Sequence, residues 1–355
     1  MDLTDSPADV RKGEELDPKV IDQYLRENIS GLRGPLEIRQ FPGGFSNLTY
    51  FVKYGDAEMV LRRPPFGTIP KSGHDMAREY RILRAIHPVF PYAPRPIVFC
   101  DDPAVMGCPF YVMERLHGFI LRKHPPKGFH MDPKDARRFS ERMVEVLYEL
   151  HCVDYKAIGL GDLGNPDGYV RRQVEGWNAR YRKARTPDVP DCEEIMQWLV
   201  EKMPPESDRK GIVHNDFKVD NLLLDPNDLT RIVGVLDWEM CTLGDQITDF
   251  GHMVAYWVEQ GDPEEVHRMR QNCTTLDGMI SRAEMIAYYS KLAKVDLSDF
   301  DYYYCFGLFR LLVILQQIYY RSYHGQTQDP RFKVLGFGAA VLERACRRVI
   351  DRSGL

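Results

Sequence analysis

Apolar residues recur at helical spacing at the start of the chain and then alternate along strand-like segments. The stretch 17–29 is predicted to be a helix, because Asp17 can cap it and Pro18 suits its first position. A second helix is predicted over 74–86. Strands are predicted at 36–41, 49–54, 58–63, 95–100 and 109–116. The short connections between the first three predict an antiparallel meander.

Helical patterning dominates after residue 115. The run 302–320 is the longest apolar stretch, but Arg310 and two glutamines interrupt it, so we expect a buried core helix rather than a membrane span. The segments 221–225 and 231–239 predict a short strand pair. We therefore expect an α+β chain with an N-terminal lobe over 1–115 and a mostly helical C-terminal lobe over 116–355.

Composition narrows the class of protein. Of 355 residues, 44% are hydrophobic and 28% charged, and the net charge of -5 gives no indication of a nucleic-acid partner. The eight cysteines form no C-x-x-C pair, and the N-terminal stretch lacks the apolar segment of a signal peptide. We expect a cytoplasmic protein, whose oligomeric state the sequence leaves open.

Candidate chemistry concentrates in "VHNDFKVDNLLLD", residues 213–225. Asp216 and Asn221 fit the spacing H-x-D-x-x-x-x-N of a phosphotransferase catalytic loop. A carboxylate there can orient an attacking hydroxyl and accept its proton, and Lys218 can place positive charge on the transferring phosphoryl group. The amide oxygen of Asn221 and the carboxylate of Asp237, at the end of the next strand, are ligands that suit Mg²⁺.

The predicted nucleotide site lies in the first lobe. The turn "PGGFSN" brings Gly43, Gly44, Ser46 and Asn47 between two strands, where backbone and side-chain donors can contact phosphate. Arg62 on the third strand can reach the α- and β-phosphates, with Glu79 of the next helix as its ion-pair partner. The backbone at Glu114 and Leu116 is expected to meet adenine.

These pieces, in this order, resemble the aminoglycoside phosphotransferase and choline kinase branch of the protein-kinase-like superfamily. The similarity is greatest to the kinase-like domain fused to some acyl-CoA dehydrogenases. It rests on segments such as "MVLRRPP", "VHNDFKVDNLLL" and "GVLDWEMCTLGDQITDFG". The resemblance implies a two-lobed kinase fold, ATP, Mg²⁺ and phosphorylation of a small-molecule hydroxyl. The sequence has "HND" where this branch commonly has H-G-D, and Arg62 where protein kinases have lysine.

Several roles stay open at this level. His214 is expected to hold the loop through a backbone bond, and Asp245 and Asp249 to cap a helix and support the loop. The basic helix 169–185, with Arg310 and Arg321, either forms an ordinary solvated face or lines the acceptor site, which would favour an anionic acceptor such as a hydroxyacyl-CoA. Alternatives to such a kinase are a nucleotide-binding pseudokinase, an aminoglycoside kinase and a metal-dependent hydrolase.

Overall fold

The computed structural model describes residues 6–41, 47–66, 74–327 and 330–355. The chain divides into two compact units. The first contains the described parts of Met1–Ile120 together with Ile158–Leu160 and Leu222–Met240. The second contains Leu121–Ala157, Gly161–Asn221 and the described part of Cys241–Leu355. The hairpin that follows the catalytic-loop motif therefore belongs to the first unit. The predicted lobe boundary at residue 115 stays a prediction.

Strands dominate the first unit. Its strands are β1 Leu36–Gln40, β2 Leu48–Tyr54, β3 Ala57–Arg63, β4 Pro96–Cys100, β5 Phe110–Glu114, β7 Leu222–Asp225 and β8 Asp228–Val235. Its helices are α1 Pro18–Asn28, α2 Met76–Ile86 and α3 Pro103–Met106, with a 3-10 turn at Trp238–Met240. As predicted, Asp17 caps α1, accepting hydrogen bonds from two backbone amides of its first turn.

The five N-terminal strands form one antiparallel sheet in the order β1-β2-β3-β5-β4, which confirms the predicted meander and its two added strands. One face of the sheet packs against α1, where Ile21 and Leu25 meet Tyr50, Val52 and Phe110. Strands β7 and β8 pair separately as an antiparallel hairpin, also as predicted.

The connection between β4 and β5 is helical. The segment "DDPAVMG", whose composition is typical of a turn, contains the short helix α3. Asp102 caps its N-terminus by accepting a hydrogen bond from the Ala104 amide, and Gly107 ends it at φ +74°. Aspartate before proline is a helix-start signal, and glycine after one turn is a helix-stop signal, so both signals were present in the sequence.

Helices dominate the second unit. They are α4 Pro133–His151, α5 Tyr169–Ala184, α6 Glu193–Glu201, α7 Gln246–Ala255, α8 Glu264–Met269, α9 Arg282–Ala293, α10 Phe300–Tyr323 and α11 Leu335–Arg352. Strands β6 Lys210–Val213 and β9 Thr242–Asp245 form a two-stranded antiparallel ladder, and 3-10 turns occupy Val219–Asn221 and Pro330–Val334.

Helix α10 is the predicted core helix, and most of its residues from Phe300 to Gln316 are buried. It lies so close to α7 that a Cβ on Gly307 would come within 2.6 Å of the Gly251 carbonyl oxygen. Glycine at this crossing lets the two backbones touch. In the described part of the chain, no helix is long and apolar enough to cross a membrane.

Candidate active site

Arg62 is the centre of a buried charge cluster in the first unit. One nitrogen of its guanidinium lies 3.2 Å from the Glu79 carboxylate, and another lies 3.1 Å from Asp237. The side chains of Arg62 and Glu79 are only 9% and 2% exposed, and the predicted ion pair is therefore present and buried. A planar guanidinium can hold two carboxylates at once, which a lysine ammonium on the same strand does less well.

The neighbouring side chains keep Arg62 protonated. Burial alone would lower the pKa of Arg62, but Glu79, Tyr111 and Asp237 raise it well above its ordinary value. Burial raises the pKa of Glu79, and the positive charge of Arg62 opposes that rise. Arg62 is thus a permanent cation in a dry site, where a charge acts strongly on any anion brought near it.

Glu239 also belongs to this cluster, although its role was not predicted from the sequence. Its carboxylate accepts a hydrogen bond of 2.8 Å from the amide of Asn47 and lies 3.8 Å from Arg62. The side-chain oxygen of Asn47 also pairs with the His74 ring at 2.7 Å. Asn47, predicted as a phosphate donor, is therefore engaged at both ends of its amide. Gly43, Gly44 and Ser46 lie outside the described residues.

The segment predicted to meet adenine ends strand β5. The backbone amide of Glu114 donates to the Arg95 carbonyl at 2.9 Å, so this amide is already paired within the sheet. The Leu116 side chain packs against β8, where a Cβ on Gly234 would come within 2.7 Å of it. Glycine at position 234 thus makes room for the chain as it leaves the sheet.

The catalytic-loop motif in the second unit is held by a buried carboxylate. Asp249 of α7 accepts hydrogen bonds of 2.7 Å from the backbone amides of both His214 and Asn215. Burial raises the pKa of Asp249, but the hydrogen bond and charge of His151 outweigh burial and lower it. Asp249 therefore supports the loop as expected, and Asp245 caps α7 through the Thr248 amide.

His214 and Asn215 shape the backbone before the predicted base. The His214 ring accepts a hydrogen bond of 3.3 Å from the Asp216 amide, the backbone role that was predicted for it. Asn215 has φ +63°, a conformation that favours glycine and that asparagine tolerates best among other residues. The motif variant "HND" is thus compatible with the same turn as H-G-D. The Tyr169 hydroxyl also donates to the Asn215 side chain at 3.0 Å.

Both oxygens of the Asp216 carboxylate have donors. The Tyr256 hydroxyl donates to Oδ1 at 3.0 Å. The Asn221 amide donates to Oδ2 at 2.9 Å, and Lys218 pairs with the same oxygen at 3.0 Å. These contacts fix the direction of the carboxylate and leave further lone pairs for an incoming hydroxyl. The structure brings Asp216, Lys218 and Asn221 together as the motif predicted.

The charges around Asp216 keep its partners protonated. Burial would lower the pKa of Lys218, but Tyr256, Asp216 and Asp220 raise it above its ordinary value. Burial and the Asp216 carboxylate together raise the pKa of Tyr256. Near neutral pH, Tyr256 is consequently a neutral hydrogen-bond donor and Lys218 a cation.

The two residues predicted to hold Mg²⁺ have the right donor chemistry. Asn221 turns its NH₂ group toward Asp216, so its amide oxygen is the atom left for a cation. Asp237 has φ +66°, a strained value for a residue with a Cβ, and its carboxylate is one-third exposed. An amide oxygen and a carboxylate are hard ligands of the kind that Mg²⁺ prefers. Asn221 belongs to the second unit and Asp237 to the first.

A cavity of about 350 Å³ opens within the second unit. Its lining comes from the end of α7, α8, α10 and α11, and is largely aliphatic, with Val266, Leu308 and Leu311 among the contributors. Arg270 and Arg348 also line it. Tyr256 borders the same cavity, so one side chain connects the cavity to the Asp216 carboxylate.

Helix α5 has one buried aromatic side and one solvated charged side, as the first of the two interpretations of this basic helix predicted. Tyr169, Trp177 and Tyr181 are buried along one side. The charged side faces solvent, where Arg182 pairs with Glu193. Whether this helix also borders the acceptor stays a prediction. On α10, Arg310 is buried and Arg321 is exposed.

Comparison with known proteins identifies the family of the chain. The sequence model of the Phosphotransferase enzyme family matches residues 37–278, which include Arg62, Asp216 and Asp237. The chain belongs to this family. It is accordingly a small-molecule kinase, with an antiparallel sheet in its N-terminal part and helices in its C-terminal part.

Two relatives contain a segment similar to this chain within a longer protein. Mouse acyl-CoA dehydrogenase family member 10 is 33% identical over 323 residues, which is 90% of the chain and 30% of the mouse protein. Human acyl-CoA dehydrogenase family member 11 is 29% identical over 329 residues, which is 91% of the chain and 41% of the human protein. The chain thus spans less than half the length of these relatives.

Solved structures share the fold. A Ralstonia eutropha protein provisionally assigned to the aminoglycoside phosphotransferases has a TM-score of 0.81 and 29% identity, covering 95% of the chain and 99% of that protein. The APH(4)-Ia complex with AMP-PNP and hygromycin B has a TM-score of 0.56 and 15% identity, with coverages of 94% and 98%. The GDP and kanamycin complex of APH(2")-IIIa has a TM-score of 0.61 and 13% identity, with coverages of 92% and 98%.

Proposed function

We propose that the phosphotransferase uses ATP to phosphorylate the hydroxyl group of a small molecule. The acceptor oxygen attacks the γ-phosphorus in line, a new O–P bond forms, ADP leaves, and the hydroxyl proton passes to Asp216. The observation that carries this proposal is the Asp216 carboxylate, oriented by Tyr256, Asn221 and Lys218. Positioning and electrostatic stabilisation supply the rate enhancement, without a covalent enzyme intermediate.

The remaining predicted residues take supporting roles in this proposal. Arg62 holds the α- and β-phosphates, and Lys218 turns toward the transferring phosphoryl group. The turn with Gly43, Gly44, Ser46 and Asn47 covers the phosphates, and Glu114 and Leu116 contact adenine. Asn221 and Asp237 would hold Mg²⁺, which when bound neutralises phosphate charge. The lobes are those proposed from the sequence, divided near residue 115.

For the acceptor, we propose an anionic compound with an apolar chain, such as an acyl-CoA-like alcohol. Two observations favour it over a polycationic aminoglycoside. The cavity that Tyr256 borders is largely aliphatic, and its lining includes four arginines and one aspartate, an excess of positive charge that would repel a polycation. The relatives from mouse and human are named as acyl-CoA dehydrogenase family members.

A mass-resolved screen tests the proposed reaction. The protein is incubated with ATP, Mg²⁺ and a metabolite extract, and compounds that gain one phosphoryl group are identified. A phosphorylated acceptor is the expected result. Phosphate release without such a product would indicate a hydrolase instead, and ATP binding without ATP consumption would indicate a pseudokinase. A phosphorylated aminoglycoside as the main product would overturn the proposed acceptor class only.

A further inference from the structure

Arg310 is a buried cation without a counter-ion in the described part of the chain. The residue is 3% exposed in the middle of α10. One of its guanidinium nitrogens is fully buried and has no hydrogen-bond partner among the described residues. Its guanidinium carbon lies 5.5 Å from the centre of the Trp177 ring. A cation–π contact offsets only part of the desolvation cost, and arginine cannot neutralise itself by losing its proton.

The groups around Arg310 are also hydrogen-bond donors without acceptors. The Trp177 indole nitrogen is buried and unpaired among the described residues. The same holds for both ring nitrogens of the buried His252, which follows Gly251 where α7 crosses Gly307, about one turn before Arg310 on α10. A neutral imidazole keeps one N–H, so Arg310, Trp177 and His252 each carry a buried donor that no acceptor among the described residues satisfies.

The helices that carry these groups also contact the catalytic loop. Helix α5 carries both Trp177 and Tyr169, and Tyr256 directly follows α7, the helix that carries His252. Tyr169 binds the Asn215 side chain, and Tyr256 binds Asp216. A ligand group held by Arg310 would therefore lie in the same part of the second unit as the proposed base.

We infer that Arg310, Trp177 and His252 form an oxyanion-binding subsite for the acceptor. The occupant is a carboxylate or phosphate group of the molecule whose hydroxyl meets Asp216, so the inference rests on the proposed function and specifies its substrate. A guanidinium can donate two parallel hydrogen bonds to the oxygens of either oxyanion. Arg310 would then be a specificity-determining residue, because binding supplies the counter-ion that the buried cation lacks.

Thermal unfolding of the full chain tests this subsite without ATP or turnover. The melting temperature is measured in chloride, acetate and inorganic phosphate at equal ionic strength and pH. The unchanged protein, Arg310→Met and Arg321→Met are compared. Methionine keeps much of the arginine length without charge, and Arg321 supplies the control because it lies exposed on the same helix.

The expected result has two parts. Acetate or phosphate raises the melting temperature of the unchanged protein and of Arg321→Met above the value in chloride, and Arg310→Met loses that rise. In chloride, Arg310→Met melts at or above the temperature of the unchanged protein, because an unpaired buried charge has been removed. A larger response to acetate assigns the site to a carboxylate, and a larger response to phosphate assigns it to a phosphate ester.

Either of two outcomes overturns the inference. One is a lower melting temperature of Arg310→Met in chloride, which would make Arg310 a structural cation. The other is an oxyanion response that is missing in the unchanged protein or persists in Arg310→Met. Neither outcome bears on phosphotransfer from ATP, which the metabolite screen tests separately.

Discussion

The hydroxyl of Tyr256 donates a hydrogen bond of 3.0 Å to Oδ1 of Asp216. Tyr256 immediately follows the last residue of α7, while Asp216 lies in the loop after β6, so the bond ties two distant segments of the second unit. Asp249 of the same helix holds the loop backbone at His214 and Asn215. Helix α7 thus fixes both the backbone of the loop and the direction of its carboxylate.

Replacing Tyr256 with phenylalanine tests that orientation. Removing one hydrogen bond to a charged group costs about 1.5–3 kcal/mol, so we expect kcat to fall about tenfold or more while the KM for ATP changes little. Tyr288→Phe is the matched control, because its hydroxyl donates to the Glu145 carboxylate on another surface. Equal kcat values for both variants and the unchanged enzyme would show that the Tyr256 hydroxyl does not orient the Asp216 carboxylate for catalysis.

The positive φ of Asn215 leads to a prediction about stability. Asn215→Gly and Asn215→Ala both lose the hydrogen bond from Tyr169, and they differ in the Cβ placed at φ +63°. We expect the alanine variant to be less stable than the glycine variant by about 1 kcal/mol in urea unfolding. Equal stability of the two variants would show that this backbone conformation relaxes.

The buried pair of Arg62 and Glu79 should behave as one unit. Arg62→Met leaves a carboxylate buried without its main partner and is expected to cost about 3 kcal/mol of unfolding free energy. Adding Glu79→Gln should restore a large part of that loss, as a urea double-mutant cycle would reveal. The exposed pair of Arg137 and Glu284 is the control, and Arg137→Met should have no measurable effect. Additive losses at Arg62 and Glu79 would contradict the coupling.

The pH dependence of turnover follows from the raised pKa values of Lys218 and Tyr256. Their ordinary values are 10.5 and 10.0, so both groups stay protonated well into the alkaline range. The stabilisation from the Lys218 ion pair is therefore complete below pH 10.5 and is lost only as the pH rises through the folded value. We expect kcat to stay level between about pH 8 and about pH 9.5. An alkaline fall in that window that Tyr256→Phe abolishes would contradict the assignment.

Much of the fold was predictable because the local signals agreed. Asp17 and Pro18 mark the start of α1, and alternating apolar residues mark the strands that pair in the N-terminal sheet. The spacing of Asp216 and Asn221 predicted their contact, since a five-residue loop with a buried following strand has few ways to close. Arg62 and Glu79 followed from their order along adjacent elements.

The missed residues had no local signal. Tyr256 stands in an apolar stretch and reads as another core aromatic, because its partner is 40 positions away. Glu239 follows the predicted metal ligand closely, but its bond to Asn47 spans 192 positions and depends on tertiary packing. The unpaired state of Arg310 is likewise visible only when every neighbour of α10 is placed.

The most direct test of the central claim is phosphoryl transfer by Asp216→Asn. This change keeps the size of the side chain and removes its ability to accept the hydroxyl proton. With ATP and a metabolite extract, we expect formation of the phosphorylated acceptor to fall by about two orders of magnitude or more, while ATP affinity measured by calorimetry stays unchanged. Product formation at the rate of the unchanged enzyme would contradict the role of Asp216 as the catalytic base.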